Sequence, residues 1–119
     1  MKTVLIADDS VFMRTWLKGL IQQTDHKVIA EAADGQEAIE HFLYFNPDIT
    51  FLDITMPKVN GLIALKEIIK INPKAKVIMC SSLGSQQNVI EALRIGAKDF
   101  IVKPNFGILP EVLNKVSEC

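Results

Sequence analysis

Five short apolar runs, each followed by a longer segment of helical periodicity, constrain the fold of this chain more than any other feature. Their nearly continuous apolar character is typical of strands that are covered on both faces. Strands that alternate with helices in this way indicate an α/β domain with a parallel sheet. The predicted strands are "TVLIA" (3–7), "KVIAEA" (27–32), "DITFLD" (48–53), "KVIMCS" (76–81) and "DFIVK" (99–103).

The segments between and after these runs place apolar residues three and four positions apart, as one buried face of a helix requires. A chain of 119 residues, 49% of them hydrophobic, is close to the commonest size for one domain with one core. We therefore expect a single domain over residues 1–119. Its predicted helices are Ser10–Gln23, Gly35–Phe45, Gly61–Ile71, Ser85–Ile95 and Ile108–Ser117.

The charge balance and the cysteines exclude several classes of protein. Fourteen acidic residues face thirteen basic ones with no long block of one sign, so we expect neither a nucleic-acid partner nor a membrane partner. The first ten residues, "MKTVLIADDS", hold too short an apolar run for a secretory signal. Cys80 lies in an apolar run and Cys119 is the last residue, which suggests no disulfide framework and favours a cytoplasmic location.

Polar side chains with reactive groups follow four of the five predicted strands. Ligands of open parallel sheets bind beyond the carboxyl ends of the strands, so these side chains should meet at one edge. We expect three carboxylates, one hydroxyl and one ammonium to converge there, from Asp8, Asp9, Asp53, Ser81 and Lys103.

Most of these residues also have an ordinary structural interpretation. Asp9 or Ser10 can cap the first helix, a serine such as Ser81 is often a turn residue, and a lysine before proline is usually solvated. Asp53 fits such an interpretation least, because it ends an apolar strand and carboxylates are almost never buried unpaired. Together, the set is hard to explain by chance.

The residue types favour phosphoryl transfer onto a carboxylate. Clustered acids repel one another unless a cation lies among them, and an all-oxygen site completed by water suits Mg²⁺. In this hypothesis Asp53 attacks phosphorus as the nucleophile, Lys103 holds a phosphoryl oxygen, and Ser81 hydrogen-bonds the new phosphate.

The same residues resemble those of response-regulator receiver domains along the whole chain. The resemblance rests on "DD" after the first strand, "DITMPKVNG" after the third, the serine after the fourth and "KP" after the fifth. It implies a flavodoxin-like fold with strand order 2-1-3-4-5 and phosphotransfer from a histidine kinase to Asp53. It also implies Mg²⁺ held by Asp8, Asp9, Asp53 and the backbone carbonyl of Thr55.

The resemblance further implies a conformational switch. Phe100 stands at the family's aromatic switch position, and it is expected to turn inward as Ser81 moves toward the phosphate. A cis bond between Lys103 and Pro104 is implied as well. Such a protein is not a conventional enzyme, because it catalyses only its own phosphorylation and slow dephosphorylation.

The stretches "DDSVFMR", "DITMP" and "GAKDFIVKP" most resemble receivers of chemotaxis proteins, and the chain ends one helix after Lys103. This favours a single-domain regulator of the CheY type. The resemblance implies signalling through the fourth helix, fifth strand and fifth helix to the flagellar motor switch protein, with a phosphatase as a further partner.

Two positions depart from the common family pattern. Residue 105 is Asn where Phe is frequent, and Phe106 follows one place late. Leu83 lies two residues beyond Ser81, where some relatives carry a charged or amide side chain. Because Leu83 cannot hydrogen-bond a water molecule and Thr55 has only a short hydroxyl side chain, we expect slow unaided hydrolysis of phosphorylated Asp53. Alternatively, Leu83 merely packs against its loop.

Other classes of protein fit less well. A phosphatase of the haloacid dehalogenase type needs an Asp-x-Asp motif on its first strand, whereas here the candidate nucleophile is on the third strand and its +2 residue is Thr55. A flavin carrier needs a neutral phosphate loop where "DDSVF" supplies negative charge. A receiver cut from a larger regulator, such as a transcription factor or a receptor methylesterase, stays open.

Overall fold

The computed structural model describes residues 1–118, in which strands and α-helices alternate strictly from β1 to α5. All five predicted strands and all five predicted helices are present, and two helices have the predicted bounds. Cys119, the last residue of the predicted domain, lies outside the described residues. The elements are β1 Lys2–Ala7, α1 Val11–Gln22, β2 His26–Ala32, α2 Gly35–Phe45, β3 Ile49–Leu52, α3 Gly61–Ile71, β4 Lys76–Ser81, α4 Gln86–Ile95, β5 Asp99–Val102 and α5 Leu109–Ser117.

The five strands form one parallel sheet in the order β2-β1-β3-β4-β5, which confirms the flavodoxin-like topology. The order reverses at β1, because β2 lies on one side of it and β3 on the other. Parallel strands bring all their carboxyl ends to one edge, and ligands of such sheets bind at the point of reversal. The loops after β1 and β3 therefore meet at that point.

Helices cover both faces of the sheet and create two apolar cores. One core joins alternate residues of the strands to α1 and α5, with Val4, Phe51 and Ile101 facing Leu17 and Leu113. The other core joins the intervening strand residues to α2, α3 and α4, with Leu5 and Leu52 facing Phe42, Leu65 and Ala92. Among residues 1–118, no helix has both the length and the apolar character of a membrane span.

Two strands end one residue earlier than the sequence predicts, and this places the reactive groups just beyond them. The backbone N–H of Asp53 still donates to the carbonyl of Ala7 at 3.0 Å, although β3 ends at Leu52. The backbone N–H of Lys103 donates to the carbonyl of Ser81 at 3.0 Å, after β5 has ended at Val102. The sheet thus fixes the backbone of both residues while their side chains leave its edge.

Asp48 also lies outside β3, at the opposite edge of the sheet. Its carboxylate accepts hydrogen bonds from the backbone N–H of Thr3 at 2.8 Å and from the Thr3 hydroxyl at 3.0 Å. The backbone hydrogen bond from Thr3 is the main reason that the pKa of Asp48 lies below its ordinary value. This aspartate therefore ties β3 to β1 at the amino ends of both strands.

Ser10 caps α1, so of the two candidates, Asp9 and Ser10, the serine takes this ordinary role. Its hydroxyl accepts a hydrogen bond from the backbone N–H of Met13 at 3.2 Å. Asp34, Asn60 and Ser85 cap the next three helices in the same way. With Ser10 in this position, neither Asp8 nor Asp9 is needed as the cap of α1.

The loop between β5 and α5 keeps an aromatic contact despite its unusual sequence. The Lys103–Pro104 bond is cis, as the family resemblance implied. Phe106 begins a short 3₁₀ turn and is buried, and its ring meets that of Trp16 edge-on with centroids 4.8 Å apart. The one-residue shift at Asn105 and Phe106 therefore still places an aromatic ring against α1.

Two glycines in similar helical settings lead to opposite expectations. A Cβ atom on Gly61, the first residue of α3, would lie 1.7 Å from the carbonyl oxygen of Asp53, whereas one on Gly19 within α1 would meet nothing within 4 Å. We expect Gly61→Ala to lower the free energy of unfolding by about 3 kcal/mol, because the backbone of Asp53 must move to make room for the added methyl group. Gly19→Ala should raise it by up to about 1 kcal/mol through helix propensity. Urea unfolding followed by circular dichroism measures both, and equal effects would contradict this account.

Candidate functional site

Three of the predicted site residues form one acidic cluster at the carboxyl edge of the sheet. Carboxylate oxygens of Asp8, Asp9 and Asp53 all lie within 4.8 Å of one another. Asp8 and Asp53 are buried, at the ends of the neighbouring strands β1 and β3, whereas Asp9 is exposed. The sheet topology therefore brings these acids together, as the sequence predicted.

Lys103 places its ammonium between the two buried acids. Its Nζ atom forms an ion pair with the carboxylate of Asp8 and another, at 3.2 Å, with Oδ2 of Asp53. The lysine side chain is only 9% exposed. Because β4 separates β5 from β3, this side chain must extend across the end of β4 to reach the acids. Lys103 is thus part of the site and not the solvated surface lysine of the alternative interpretation.

The surroundings of Lys103 favour its charged form. Burial on its own lowers the pKa of this lysine, but the hydrogen bond to Asp8 and the charges of Asp53 and Asp8 outweigh that effect. Together they raise the pKa of Lys103 above its ordinary value. The ammonium therefore stays protonated across the neutral range and offsets part of the negative charge of the cluster.

Backbone N–H groups orient the remaining oxygens of the buried acids. The N–H of Ser10 donates to Oδ1 of Asp8 at 2.9 Å, and the N–H of Ile54 donates to Oδ1 of Asp53 at 2.7 Å. Each buried carboxylate thus has one oxygen held by backbone and the other held by Lys103. Such satisfied hydrogen bonds explain how two carboxylates are tolerated in a buried position.

Ser81 and Phe100 lie on the adjoining strands β4 and β5. The hydroxyl oxygen of Ser81 accepts a hydrogen bond from the backbone N–H of Leu83 at 3.1 Å, which turns it toward its own loop. The ring of Phe100 is buried in the core shared with α3 and α4, beside Met79 in the strand register. Phe100 is therefore largely buried in this structure, and its role as a switch stays a prediction.

Thr55 and Leu83 lie in the loops that follow β3 and β4. Thr55 is exposed, two residues beyond Asp53. Leu83 is 46% exposed, and the side-chain amide of Asn88 donates to its backbone carbonyl at 3.0 Å. The backbone of Leu83 is therefore held while much of its side chain meets solvent, which gives little support to the interpretation that it only packs against the loop.

Cys80 is close to the cluster but is poorly suited to nucleophilic chemistry. The thiol is free and buried on the face of the sheet that carries α1 and α5. Burial raises the pKa of Cys80 to about 12; the charge of Lys103 acts against this shift, and the charges of Asp8 and Asp53 add to it. The thiolate, which is the reactive form, is therefore scarce at neutral pH, and the carboxylates are the better nucleophile candidates.

The donor set of the cluster fits a hard divalent cation. Three carboxylates and one ammonium leave an excess of negative charge, and no histidine or cysteine belongs to this cluster. Oxygen ligands with water completing the shell are the environment that Mg²⁺ prefers, whereas zinc sites favour nitrogen and sulfur. Asp9 is exposed on one side, so water has access to the cluster.

The family of this chain follows from its match to a known sequence pattern. The model of the response regulator receiver domain matches residues 4–114. The chain belongs to this family. The receiver match runs from within β1 to within α5 and includes every predicted site residue.

Several similar proteins share the receiver fold. Chemotaxis protein CheY of Thermotoga maritima is 52% identical over 98% of both chains. The protein-glutamate methylesterase/protein-glutamine glutaminase of the same organism is 46% identical over 98% of this receiver but only 36% of its own length. A crystal structure of the CheX-CheY-BeF₃-Mg complex from Borrelia burgdorferi contains a chain of 43% identity, with a TM-score of 0.89 over 95% of this receiver and 87% of that chain.

Sequence reasoning missed one residue of the receiver site. Arg14, in the first turns of α1, donates from a guanidinium nitrogen to the backbone carbonyl of Asp8 at 2.6 Å. The only available signal was a cation six residues after Asp8, on a helix that begins directly beyond the acidic pair. Such a position is ordinary for a solvated arginine, so the sequence alone did not single it out.

We expect Lys103→Met to lower the free energy of unfolding in EDTA by about 3 kcal/mol near neutral pH, because two buried carboxylates lose their cation. The pKa of Lys103 is higher in the folded protein than in the unfolded chain. Its contribution is therefore present in full below the ordinary lysine pKa of about 10.4 and is lost as pH rises through the higher folded value. Urea unfolding at neutral and alkaline pH measures the difference.

Lys115→Met is the matched control, because it removes a lysine from an ion pair that is far more exposed. Lys115 pairs with Asp99 at 2.6 Å and its side chain is 62% exposed. Its loss should change the free energy of unfolding by no more than about 1 kcal/mol. A Lys103→Met variant as stable as the Lys115→Met variant would show that the buried acids do not depend on this ammonium.

Proposed function

We propose that this receiver is a phosphorylation-activated response regulator that accepts a phosphoryl group from a histidine kinase on Asp53. The observation that supports this most is the setting of Asp53: a buried carboxylate whose Oδ2 lies 3.2 Å from the ammonium of Lys103, within a cluster of three acids. Asp9 on the exposed side leaves the cluster accessible to a donor. Asp53 also follows the central strand of the sheet.

In the proposed reaction, a carboxylate oxygen of Asp53 attacks the phosphorus of a phosphohistidine. The new P–O bond forms as the P–N bond breaks, and the electron pair of that bond remains on the imidazole nitrogen of the kinase. Lys103, already 3.2 Å from Asp53, pairs with a phosphoryl oxygen and offsets its charge. Mg²⁺ held by Asp8, Asp9, Asp53 and the backbone carbonyl of Thr55 would supply further positive charge.

The new phosphate would be sensed by Ser81 and Phe100. Ser81 would exchange its hydrogen bond from the Leu83 N–H, now 3.1 Å long, for one to a phosphoryl oxygen. The inward position of Phe100 would then be favoured, because a ligand shifts a conformational equilibrium toward the state that it binds better. The strand register supports this coupling, since Ser81 pairs with Val102, two residues after Phe100.

The output surface in this proposal is formed by α4, β5 and α5, and its partner is the flagellar motor switch protein. Apolar side chains are exposed on two of these elements: Ile90 and Leu93 on α4 and Val102 on β5, each more than 40% exposed. Exposed apolar groups of this kind are typical of protein interaction sites. The similarity to CheY proteins favours a chemotaxis role in the cytoplasm.

A second candidate is the receiver domain of a larger regulator. The methylesterase favours this alternative, because the region similar to this receiver makes up only 36% of its length. In the first candidate, residues 1–119 act as a single receiver domain with its own output surface. In the second, the same phosphorylation controls an attached domain, and the length of the full open reading frame distinguishes the two.

The phosphoacceptor assignment has a direct test. Incubation with acetyl phosphate and Mg²⁺ should add one phosphoryl group to the parent protein, and intact-mass measurement should find none on Asp53→Asn, because an amide is not a nucleophile here. Asp99→Asn is the matched control, since Asp99 begins β5 at the opposite edge of the sheet and should not alter the yield. Equal incorporation into the parent and Asp53→Asn would overturn the assignment.

We also expect the phosphorylated form to be long-lived. Leu83 and Thr55 offer poor support for the attacking water, so a separate phosphatase would be needed to end the signal promptly. We expect Leu83→Glu to speed the decay of phosphorylated protein in Mg²⁺ by roughly tenfold, equivalent to about 1.4 kcal/mol of barrier. Ile63→Glu adds the same charge on α3, at a side chain that is 48% exposed, and should leave the decay unchanged. An unchanged or slower decay in Leu83→Glu would contradict the hypothesis.

A further inference from the structure

Arg14 links the acidic cluster to the neighbouring strand β2. One guanidinium nitrogen donates to the backbone carbonyl of Asp8 at 2.6 Å, and the Nε atom donates to the carboxylate of Glu31 at 3.1 Å. The arginine side chain is only 14% exposed, whereas that of Glu31 is 35% exposed, so the guanidinium is largely buried and its carboxylate partner is partly open to solvent. Arg14 thus bridges the loop that carries Asp8 and Asp9 to a strand that is already hydrogen-bonded to β1.

With Arg14 included, every polar group of Asp8 has a partner. Its backbone N–H donates to the carbonyl of Ala32 at 3.0 Å, and its carbonyl accepts from Arg14. One carboxylate oxygen accepts from the N–H of Ser10 at 2.9 Å and the other from Lys103. Lys103 is the partner that must also serve a phosphoryl group, so the other three contacts are the ones available to hold Asp8 throughout the reaction.

The contact of Arg14 acts on both acids of the pair. The carbonyl of Asp8 belongs to the peptide unit whose nitrogen is that of Asp9, and this unit is planar. A hydrogen bond that fixes the direction of this carbonyl therefore also fixes the point from which Asp9 leaves the loop. Asp9 is the exposed member of the cluster, so the loop itself must set its position.

We propose that Arg14 is a positioning residue for the metal site, and that it holds the Asp8–Asp9 peptide unit in the orientation that Mg²⁺ binding requires. The inference rests on the proposed function, because it assumes that the cluster binds Mg²⁺. Glu31 anchors the guanidinium, and the ammonium of Lys18 pairs with the same glutamate at 3.6 Å.

An electrostatic role for Arg14 leads to the opposite expectation. A positive charge near three carboxylates repels an incoming cation, so removal of that charge alone would strengthen Mg²⁺ binding. Loss of a group that orients metal ligands weakens binding, commonly by a factor of about 10 to 100. The sign of the change in affinity therefore separates the two roles.

The experiment compares the Mg²⁺ affinity of the parent, Arg14→Met, Arg14→Lys and Lys18→Met. The dissociation constant for MgCl₂ is obtained from the rise in melting temperature with metal concentration, a readout that cancels any change in the stability of the metal-free protein. Methionine retains much of the apolar stem of arginine and has no donor. Lysine retains the charge, but its single ammonium replaces a guanidinium that donates to the Asp8 carbonyl and the Glu31 carboxylate from two separate nitrogens.

We expect Arg14→Met to weaken Mg²⁺ binding by about tenfold and Arg14→Lys to restore part of the loss. Lys18→Met removes an equal charge from the same glutamate and should stay within about twofold of the parent, since its side chain is 43% exposed and screened. Unchanged or tighter binding in Arg14→Met overturns the positioning role while leaving the proposed function intact. A parent protein whose melting temperature does not respond to MgCl₂ overturns the proposed metal site, and the inference with it.

If Arg14→Met does not fold, Glu31→Gln provides the second variant. It keeps the guanidinium and its hydrogen bond to the Asp8 carbonyl but weakens the anchor that holds Arg14 in place. Loss of the Glu31 charge also weakens cation binding, so only a loss of Mg²⁺ affinity that persists in high salt, where that charge is screened, supports the role of Arg14. Affinity equal to that of the parent in both Glu31→Gln and Arg14→Lys overturns it.

Discussion

The ammonium of Lys103 is the group on which the two buried acids of this site depend. Two carboxylates that end neighbouring strands are forced together by the strand order, and burial makes their repulsion costly. Lys103 reaches them from the edge strand, across the end of β4, and pairs with both. The site therefore requires three strands in a fixed order, and this requirement ties its chemistry to the topology of the whole sheet.

Hydrogen bonds to backbone groups hold the chain in place around the two buried acids. The backbone N–H of Asp53 donates to the carbonyl of Ala7. The carbonyl of Asp53 lies so close to Gly61 that a Cβ atom at that position would not fit. Asp8 is bonded through its N–H to Ala32 and through its carbonyl to Arg14. Side chains on a rigidly held backbone are pre-organised, so less ordering would be needed in the proposed reaction. The loops after β1 and β3 are in this sense extensions of the sheet.

The sequence predicted the fold well because the strands are short, nearly continuous apolar runs, the helices have an apolar period, and capping, glycine or proline residues mark many of the boundaries. It also predicted which acids and which lysine converge, since parallel strands share one carboxyl edge. It did not predict that Lys103 pairs with Asp8 as well as Asp53, or that Arg14 holds a backbone carbonyl. Both contacts depend on side-chain directions and distances between separate elements, which a linear pattern does not contain.

The edge-on contact between Trp16 and Phe106 has an optical consequence. Trp16 is the single tryptophan of the chain, and its indole is partly exposed on α1. Phe106 belongs to the same loop as Lys103, three residues further along. A displacement of that loop would change the exposure of the Trp16 indole to water and its contact with the Phe106 ring. Indole fluorescence is sensitive to both. The receiver thus carries a built-in fluorophore beside the loop that holds Lys103.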